Sequence, residues 1–331
     1  MSKSGSKPVI GITMGDAAGI GPEICLAALN HAEVRALCTP VLFGDPAILT
    51  TVAKQCRIPL TAPVIALATW QEGYQAKEPV IINTGIIDTP IQPGKVQAPC
   101  GWAAYLCIEA AVDAAVKKQI AAMATAPIHK EALRLAGITH PGHTEIITAL
   151  THASRTCMML TSDAITVSLA TIHIPLRDVP ASLTAEKILD VIELTADTMR
   201  RMRQREPRLT VCGLNPHGGE HGLFGDEETR LIEPAVAEAR RKGWDVTGPL
   251  APDTAFTPEK RAATDAYIVM YHDQGLIPFK MLAFETGVNV TLGLPIIRTS
   301  VDHGTAFDIA WQGKASAASL IAAIRTAVQM A

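Results

Sequence analysis

The chain has 331 residues, of which 48% are hydrophobic and 18% charged, so there is enough apolar material for a large core. A formal net charge of -3 and an aromatic content of 4% argue against a nucleic-acid-binding or acidic-lipid-binding surface. No apolar run approaches the ~20 residues that a membrane-spanning helix needs, which argues against a membrane protein.

The seven cysteines are scattered along the chain. None forms a CxxC pair, and their number is odd. This pattern predicts reduced thiols and therefore a cytoplasmic protein, in which most cysteines are small core residues.

The first half of the chain alternates short β-branched runs with longer stretches rich in alanine and leucine. The β-branched runs predict strands at residues 9–13, 41–43, 80–83 and 121–125. The intervening stretches predict helices at residues 22–37, 46–55, 98–118 and 130–136.

The second half continues this alternation. Strands are predicted at residues 157–160, 165–171, 209–214 and 266–270, and helices at 184–203, 227–242 and 316–330. Such alternation predicts an α/β fold with a largely parallel sheet covered by helices. No linker marks a boundary, so we expect residues 1–331 to form a single unit of two lobes between which the chain passes more than once.

Glycines crowd residues 11–23, between the first strand and the first helix. Glycines at this position let a backbone approach a ligand closely. The spacing is not the GxGxxG dinucleotide fingerprint, and no acidic residue follows at the expected distance. A tight strand-to-helix turn explains the glycines equally well.

A second polar cluster combines residues 125–130 with residues 141–145. His143 and Thr144 are predicted to open a helix, where free backbone N–H groups favour an anion. The alternative is an ordinary helix cap formed by Thr144.

Three histidines, His173, His217 and His272, each stand just past a predicted strand. The ends of parallel strands lie at one edge of a sheet, so the three imidazoles have the opportunity to meet. Three neutral imidazoles form a metal site that leaves room for a substrate. For any one of them alone, a hydrogen-bonded polar residue is the more common explanation.

Lys280 and Arg298 are cations within apolar segments, which suggests recognition of a phosphate or a carboxylate. Salt-bridged or snorkelling side chains are the alternative. Asp253 lies in a proline-rich turn, where it is either a proton acceptor or carboxylate support for a site, or an ordinary helix N-cap.

Taken together, these motifs resemble the PdxA family of dehydrogenases along nearly the whole chain. The matching strings are ITMGDAAGIGPE (12–23), GHTE (142–145), NPH (215–217), YHDQG (271–275), NVTLGLP (289–295) and RTSVDHGT (298–305). The resemblance implies the two-lobed α/β fold of isocitrate and isopropylmalate dehydrogenases. It also implies a homodimer with its active sites in the cleft at the dimer interface.

The resemblance assigns roles residue by residue. It implies that one divalent ion (Zn, Co, Mn, Ni or Mg), shared between the subunits, is bound by His173, His217 and His272. Substrate would be bound by His143, Thr144, Lys280, Asn289 and Arg298. The adenosine side of NAD or NADP would contact His303, Gly304, Thr305 and Asp308. Asp253 and Lys280 are the candidate catalytic residues.

The activity implied is oxidation of 4-phosphohydroxy-L-threonine to a β-keto acid that loses carbon dioxide, a step in pyridoxal phosphate biosynthesis. Ala17 stands where the family commonly has proline, and Gly218 where alanine is common. The segments at residues 14–16 and 126–131 look more like a second branch, whose members act on D-threonate or D-erythronate 4-phosphate.

Three functions of other classes remain as alternatives. A phosphate acyltransferase of related fold would bind no nicotinamide cofactor, and a metallohydrolase would turn over without one. A non-catalytic metabolite-binding protein would leave the many polar clusters at strand ends without a purpose.

Overall fold

The computed structural model describes residues 7–85, 87–284 and 286–331. The chain divides into two compact units: unit 1 is Met1–Ser154 with Leu294–Ala331, and unit 2 is Arg155–Gly293. The chain thus leaves unit 1 once and returns to it for the last strand and helix.

The elements of unit 1 largely follow the sequence pattern. The N-terminal stretch holds β1 (Val9–Thr13), α1 (Gly21–Asn30), α2 (Ala32–Leu37), β2 (Thr39–Gly44), α3 (Pro46–Cys56), β3 (Val64–Ala66), α4 (Leu67–Gln71), β4 (Val80–Asn83), α5 (Ala98–Val116), β5 (Ala122–Thr125), α6 (Lys130–Leu135) and α7 (His143–Thr151).

The elements of unit 2 come next in the chain. They are β6 (Cys157–Thr161), β7 (Thr166–Leu169), α8 (Val179–Ser182), α9 (Ala185–Arg203), β8 (Leu209–Cys212), α10 (Glu233–Arg241), β9 (Val246–Leu250), α11 (Pro252–Ala255), α12 (Pro258–Ala263), β10 (Ala266–Val269), α13 (His272–Ala283) and β11 (Val288–Leu292). The chain then completes unit 1 with β12 (Arg298–Val301) and α14 (Ala318–Met330).

The sheet of unit 1 has the strand order β3-β4-β2-β1-β5-β12, and every pairing described in it is parallel. Its central strands are buried on both faces because α5 packs against β1 and β2 while α14 packs against β5 and β12. The predicted parallel α/β fold is therefore confirmed for this unit.

The sheet of unit 2 has the order β11-β6-β7-β10-β8-β9. The pairs β11–β6 and β6–β7 are antiparallel, whereas β7–β10, β10–β8 and β8–β9 are parallel. The β7, β10 and β8 strands are thus neighbours that run in the same direction, which brings their carboxyl ends to one edge of the sheet.

Two helices, α9 and α3, begin at side-chain N-caps. Thr184 caps α9 by accepting the Lys187 N–H at 3.1 Å, as expected for that start. Asp45 caps α3 by accepting the N–H groups of Ala47 and Ile48. Both helices begin directly after the capping residue, within one residue of the predicted starts at 46 and 184.

Two predicted helices were wrong in detail. The helix predicted over 22–37 is broken at His31, whose ψ of 128° is extended, and it forms α1 and α2 instead. The helix predicted over 227–242 begins with a π-helical turn, Glu228–Ile232, before α10. Strands β3, β9, β11 and β12 were not predicted, although β11 (VNVTL) has the alternating apolar and polar residues that are typical of a strand.

All seven cysteines are free, and all but Cys56 are buried, so the prediction that most are small core residues is confirmed. Within the described ranges, no helix combines the length and apolarity needed to cross a bilayer.

Candidate active site

Three loops follow the carboxyl ends of β1, β5 and β12 in unit 1, and hydrogen bonds tie them together. The Asp16 N–H donates to the Pro127 carbonyl at 2.9 Å, and the Ile20 N–H donates to the Thr305 carbonyl at 3.0 Å. The glycine-rich loop after β1 therefore supports the loops after the other two strands.

The glycines of this loop serve close packing. A Cβ added at Gly19 would lie 2.9 Å from the Thr305 carbonyl oxygen, closer than side-chain atoms tolerate. The Trp311 indole N–H donates to the Ala17 carbonyl at 3.0 Å from the far side of the same loop. The tight-turn interpretation of residues 11–23 thus describes much of what these glycines do.

Asp16 carries a buried carboxyl group in the glycine-rich loop. Its Oδ1 accepts the Ala18 N–H at 2.9 Å, while its Oδ2 is buried and meets no partner among the described residues. Burial raises the pKa of Asp16 to about 6, although the Ala18 hydrogen bond opposes the rise. The group therefore changes charge near neutral pH.

A pocket of about 150 Å³ opens beside these loops. It is lined in part by Thr125, Lys130, His143, His303 and Gly304. A predicted substrate residue and two predicted cofactor residues thus share one pocket within unit 1. Thr125 and Lys130 belong to the polar cluster at residues 125–130, for which the sequence predicted no individual roles.

His143 is the first residue of α7, as the sequence predicted. Its Nε2 is buried and has no hydrogen-bond partner among the described residues. Burial holds the pKa of His143 well below its usual value, and the nearby Arg298 lowers it further. The imidazole is therefore neutral near pH 7 and able to complete a hydrogen bond with a ligand.

Arg298 begins β12 and is 3% exposed. Its Nη2 donates to Thr125 Oγ1 at 2.8 Å, which places the guanidinium next to a pocket-lining residue. Burial lowers the pKa of Arg298 to about 10, with Glu145 opposing the shift, so the group stays charged at neutral pH. A buried cation of this kind favours an anionic ligand.

The remaining predicted residues of unit 1 are placed more variably. Thr144 is half-buried behind His143, and Gly142 occupies the N-cap of α7 without a side-chain cap bond, so the interpretation of Thr144 as an ordinary cap was wrong. Thr305 is buried, and Asp308 is exposed outside the pocket lining.

In unit 2, the three histidines follow neighbouring parallel strands. His173 comes four residues after the end of β7, His217 five after β8, and His272 three after β10. Rings of His173 and His272 lie with centroids 5.5 Å apart, and both side chains line a pocket of about 290 Å³. Two of the three predicted metal ligands are therefore neighbours in a single chain.

His272 has an oriented ring. Its Nδ1 lies 2.7 Å from Asp273 Oδ1. A neutral imidazole that donates from Nδ1 to this carboxylate leaves the Nε2 lone pair for a metal ion.

His217 lies in a separate turn, where its ring centroid is 6.1 Å from that of Phe224. Within residues 7–85, 87–284 and 286–331, no three His, Cys, Asp or Glu side chains are arranged to hold a metal ion. The structure of one chain thus brings His173 and His272 together and leaves His217 outside that pair.

The other predicted residues of unit 2 occupy three elements. Lys280 is half-buried in α13, and Asn289 is half-buried in β11 opposite Leu160. Asp253 is exposed inside α11, whose N-cap is Ala251, so the interpretation of Asp253 as an N-cap was wrong.

Two features near the predicted residues were not anticipated. The ring of His129 stacks on Phe307, with centroids 4.8 Å apart and an interplanar angle of 15°. The buried Glu228 binds the backbone before His217. Only the first carries a local signal, because His129 belongs to the polar cluster at residues 125–130.

Comparison with known proteins gives consistent results. A family model described as pyridoxal phosphate biosynthetic protein PdxA matches residues 36–327. A 4-hydroxythreonine-4-phosphate dehydrogenase of Geobacter metallireducens is 47% identical over 326 residues, covering 98% of this chain and 96% of that protein.

A D-threonate 4-phosphate dehydrogenase of Salmonella typhimurium is 44% identical over 329 residues, covering 97% of this chain and 98% of that protein. Among solved structures, a 4-hydroxythreonine-4-phosphate dehydrogenase from Klebsiella pneumoniae superposes with a TM-score of 0.84 at 42% identity. That match covers 98% of this chain and 99% of the other.

Proposed function

Because the chain belongs to the PdxA family, we propose that it is an NAD(P)- and divalent-metal-dependent dehydrogenase of a small phosphorylated hydroxy acid. The proposed substrate is 4-phosphohydroxy-L-threonine. Its CH–OH group is oxidised to 2-amino-3-oxo-4-phosphobutanoate, which loses carbon dioxide to give 3-amino-2-oxopropyl phosphate. The oxidation passes a hydride to one NAD(P)+ and releases one proton, and the loss of carbon dioxide then takes up one proton.

The observation that carries this proposal is the position of His173, His217 and His272 after the ends of three neighbouring parallel strands. The His173–His272 pair and the Asp273 contact of His272 fit a divalent ion, because two imidazoles are close and one has its ring fixed. His217 would supply the third ligand. A bound ion would supply Lewis-acid polarisation of the substrate oxygen.

The substrate phosphate or carboxylate is proposed to bind in unit 1 near Arg298, His143 and Thr144. Arg298 supplies a buried positive charge. His143 supplies a neutral imidazole whose Nε2 lacks a partner among the described residues. Together they favour an anion that brings its own hydrogen-bonding oxygens.

The nicotinamide cofactor is proposed to bind at the loop containing His303, Gly304, Thr305 and Asp308. His303 is exposed, and a Cβ at Gly304 would meet no atom within 4 Å, so a ligand has room to approach this backbone. The cofactor would supply the hydride acceptor. NAD and NADP both remain candidates.

Lys280 and Asp253 are the proposed groups for proton transfer and substrate positioning, and Asn289 is a further substrate contact. Lys280 is half-buried, and its Nζ lies 5.2 Å from the centroid of the Phe284 ring. Asp253 is exposed, which suits a carboxylate that passes a proton to solvent.

We also propose a homodimer with shared active sites, working in the cytoplasm. Ile277 and Met281 in helix α13 and Phe284 directly after it are exposed by 58%, 81% and 73%, at helical spacing. A second copy would cover this apolar stripe. The cytoplasmic part of the proposal is supported by the free cysteines.

A second candidate function is oxidative decarboxylation of D-threonate or D-erythronate 4-phosphate to dihydroxyacetone phosphate. The observation in its favour is the 44% identity to a D-threonate 4-phosphate dehydrogenase, close to the 47% of the first relative. The same metal, phosphate and cofactor residues would serve this reaction.

The test is to follow NAD(P)H formation by the purified protein with 4-phosphohydroxy-L-threonine, D-threonate 4-phosphate and D-erythronate 4-phosphate. Each is assayed with and without chelator. Chelator-sensitive turnover of the first substrate supports the proposal, and preference for a sugar-acid phosphate supports the second candidate. If no substrate reduces either cofactor, the dehydrogenase proposal is wrong and the acyltransferase and hydrolase alternatives are tested next.

A further inference from the structure

We propose that Glu228 is a positioning residue for the proposed metal ligand His217, because it holds the His217 loop, here residues 213–225, in the conformation described below. This inference rests on the proposed function, because it takes His217 as a metal ligand. Glu228 itself is not proposed to touch the metal or the substrate.

The carboxylate of Glu228 accepts hydrogen bonds from the backbone that precedes His217. Glu228 is 2% exposed, and its Oε1 accepts the N–H groups of Leu214 and Asn215 at 2.7 Å each. Its Oε2 accepts the Asn215 Nδ2 at 2.9 Å. A buried side chain thirteen residues along the chain therefore fixes the two residues that precede Pro216 and His217.

Asn215 is fixed a second time. Its Nδ2 also donates to Glu227 Oε2 at 2.7 Å, and its carbonyl accepts the Gly218 N–H at 3.1 Å. The residue is thus held through its backbone on both sides and through its side chain. The hydrogen bond between Asn215 and Gly218 closes a turn that contains His217.

The turn itself needs an external support. Five consecutive residues, 217–221, have φ between 40° and 80°, in the left-handed region that residues other than glycine rarely adopt. Such a run persists only where surrounding contacts determine it. Gly219 shows how close the support lies, since a Cβ there would be 2.8 Å from Glu228 Oε2.

The base of the loop is also tied to the helix that begins at His272. Gln274, two residues further on, donates from Nε2 to the Gly213 carbonyl at 2.7 Å and accepts the Met270 N–H at 2.7 Å. Gly213 opens the His217 loop, so Gln274 fixes the start of this loop and Glu228 fixes its next two residues. The segments that carry two predicted metal ligands, His217 and His272, are therefore joined by hydrogen bonds.

A carboxylate suits this role better than an amide. Glu228 receives three N–H donors and needs only acceptor atoms, whereas glutamine would turn an NH₂ group towards Asn215 Nδ2. Loss of a partner that orients a metal ligand typically weakens metal affinity by about 10- to 100-fold. We therefore expect the larger loss for Glu228→Ala and a partial rescue for Glu228→Gln, which keeps one acceptor oxygen.

The experiment is a Co²⁺ titration of the full-length, metal-stripped protein, read by dissociation constant and by the visible absorption spectrum of the bound ion. We expect Glu228→Ala to bind Co²⁺ about 10- to 100-fold more weakly with an altered spectrum, and Glu228→Gln about three- to tenfold more weakly. Asn215→Ala should fall within the same range as Glu228→Gln. The matched control is Glu233→Ala, an exposed carboxylate at the start of α10, which should bind as the wild type does.

Hydrogen exchange of the metal-free protein gives a second reading. The amides of residues 214 and 215 should exchange faster in Glu228→Gln than in the control, while the strands of unit 2 keep their protection. If Glu228→Ala does not fold, Glu228→Gln and Asn215→Ala carry the comparison. Wild-type affinity and spectrum in these two folded variants would overturn the inference.

His217→Ala separates this inference from the proposed function. If His217→Ala binds Co²⁺ as tightly as the wild type does, the proposed metal site is contradicted. Affinity that is lost in His217→Ala but unchanged in the Glu228 and Asn215 variants contradicts only the positioning role.

Discussion

The two units differ in how burial and hydrogen bonding shift the pKa values of their ionisable groups. In unit 1, burial shifts the pKa of Asp16 upward and the pKa values of His143 and Arg298 downward. In unit 2, burial tends to raise the pKa of Asp265, but hydrogen bonds from Arg205 and Arg208 outweigh it and hold that pKa well below its usual range. Two buried atoms of unit 1, Asp16 Oδ2 and His143 Nε2, thus have no partner among the described residues, whereas the carboxylates of Asp265 and Glu228 in unit 2 accept several hydrogen bonds from the protein.

This difference suggests a division of tasks. A buried carboxylate that accepts several hydrogen bonds from the protein, such as that of Glu228, can hold an exposed histidine in place. A buried group whose polar atom has no partner among the described residues, such as His143, favours binding of an anionic ligand. Substitutions of Arg298 or His143 should therefore change ligand binding, whereas substitutions of Glu228 should change metal affinity.

The largest expected effect is on substrate binding in unit 1. Arg298→Met removes a buried cation, so kcat/KM for the phosphorylated substrate should fall about a thousandfold, or ~4 kcal/mol, with Co²⁺ affinity unchanged. The control is Arg325→Met, whose guanidinium is exposed and pairs with Glu33 on the surface. Steady-state kinetics of the two variants test this; a KM and kcat near wild type in Arg298→Met would contradict the phosphate-binding role.

The next effect is on the stability of unit 2. Asp265→Ala leaves the Arg208 N–H and the guanidiniums of Arg205 and Arg208 without their shared acceptor, which should cost about 3–4 kcal/mol at pH 7. Because the folded-state pKa is lowered, the stabilisation is present above pH 4 and is lost as pH falls below it.

Urea unfolding at pH 7 and at pH 3 measures both parts of that prediction. Asp197→Ala is the matched control, because Asp197 is half-exposed and its nearest Arg200 nitrogen is 3.7 Å away. Equal stability of the Asp265 variant and the wild type at pH 7 would show that this hydrogen-bond network does not stabilise unit 2.

Asp16 should give a pH dependence of the opposite sign. Its folded-state pKa is raised from 3.8 to about 6, so the stability it contributes is full below pH 4 and is lost as pH rises through 6. Two pKa units correspond to up to about 3 kcal/mol. Asp16→Asn should remove this component, so its free energy of unfolding should vary less between pH 4 and pH 8 than that of the wild type. Unfolding curves over this pH range measure the difference. An unchanged pH profile would contradict the raised pKa.

The smallest effects are expected at two helix N-caps, one in each unit. Thr184→Ala removes one cap bond in unit 2 and should cost about 1 kcal/mol. Asp45→Ala removes cap bonds to Ala47 and Ile48 and a contact to the Ile87 N–H, and should cost about 2 kcal/mol. Thermal melts rank the pair; the reverse order would contradict the importance of the extra Ile87 bond.

The sequence predicted those features that depend on local pattern. Strand and helix alternation, the helix start at His143 and the three histidines after strand ends all follow from neighbouring residues. The break at His31 was missed because an extended ψ at one residue leaves the apolar pattern of the flanking helices intact.

Features that depend on distant contacts were not predictable in this way. The left-handed turn at His217 follows from a clamp by Glu228, whose partners are backbone amides thirteen and fourteen residues away. Burial of Asp16 likewise arises from loops after three strands that are far apart in the chain. Hydrophobic periodicity reports neither of these.

The most direct test of the division of tasks is metal binding and turnover, measured together on metal-stripped wild type, His217→Ala and Arg298→Met. The account predicts that His217→Ala loses metal affinity and chelator-sensitive NAD(P)H formation while remaining folded. It predicts that Arg298→Met keeps metal affinity and loses turnover. Chelator-sensitive turnover that persists in His217→Ala at the wild-type rate would contradict the central claim.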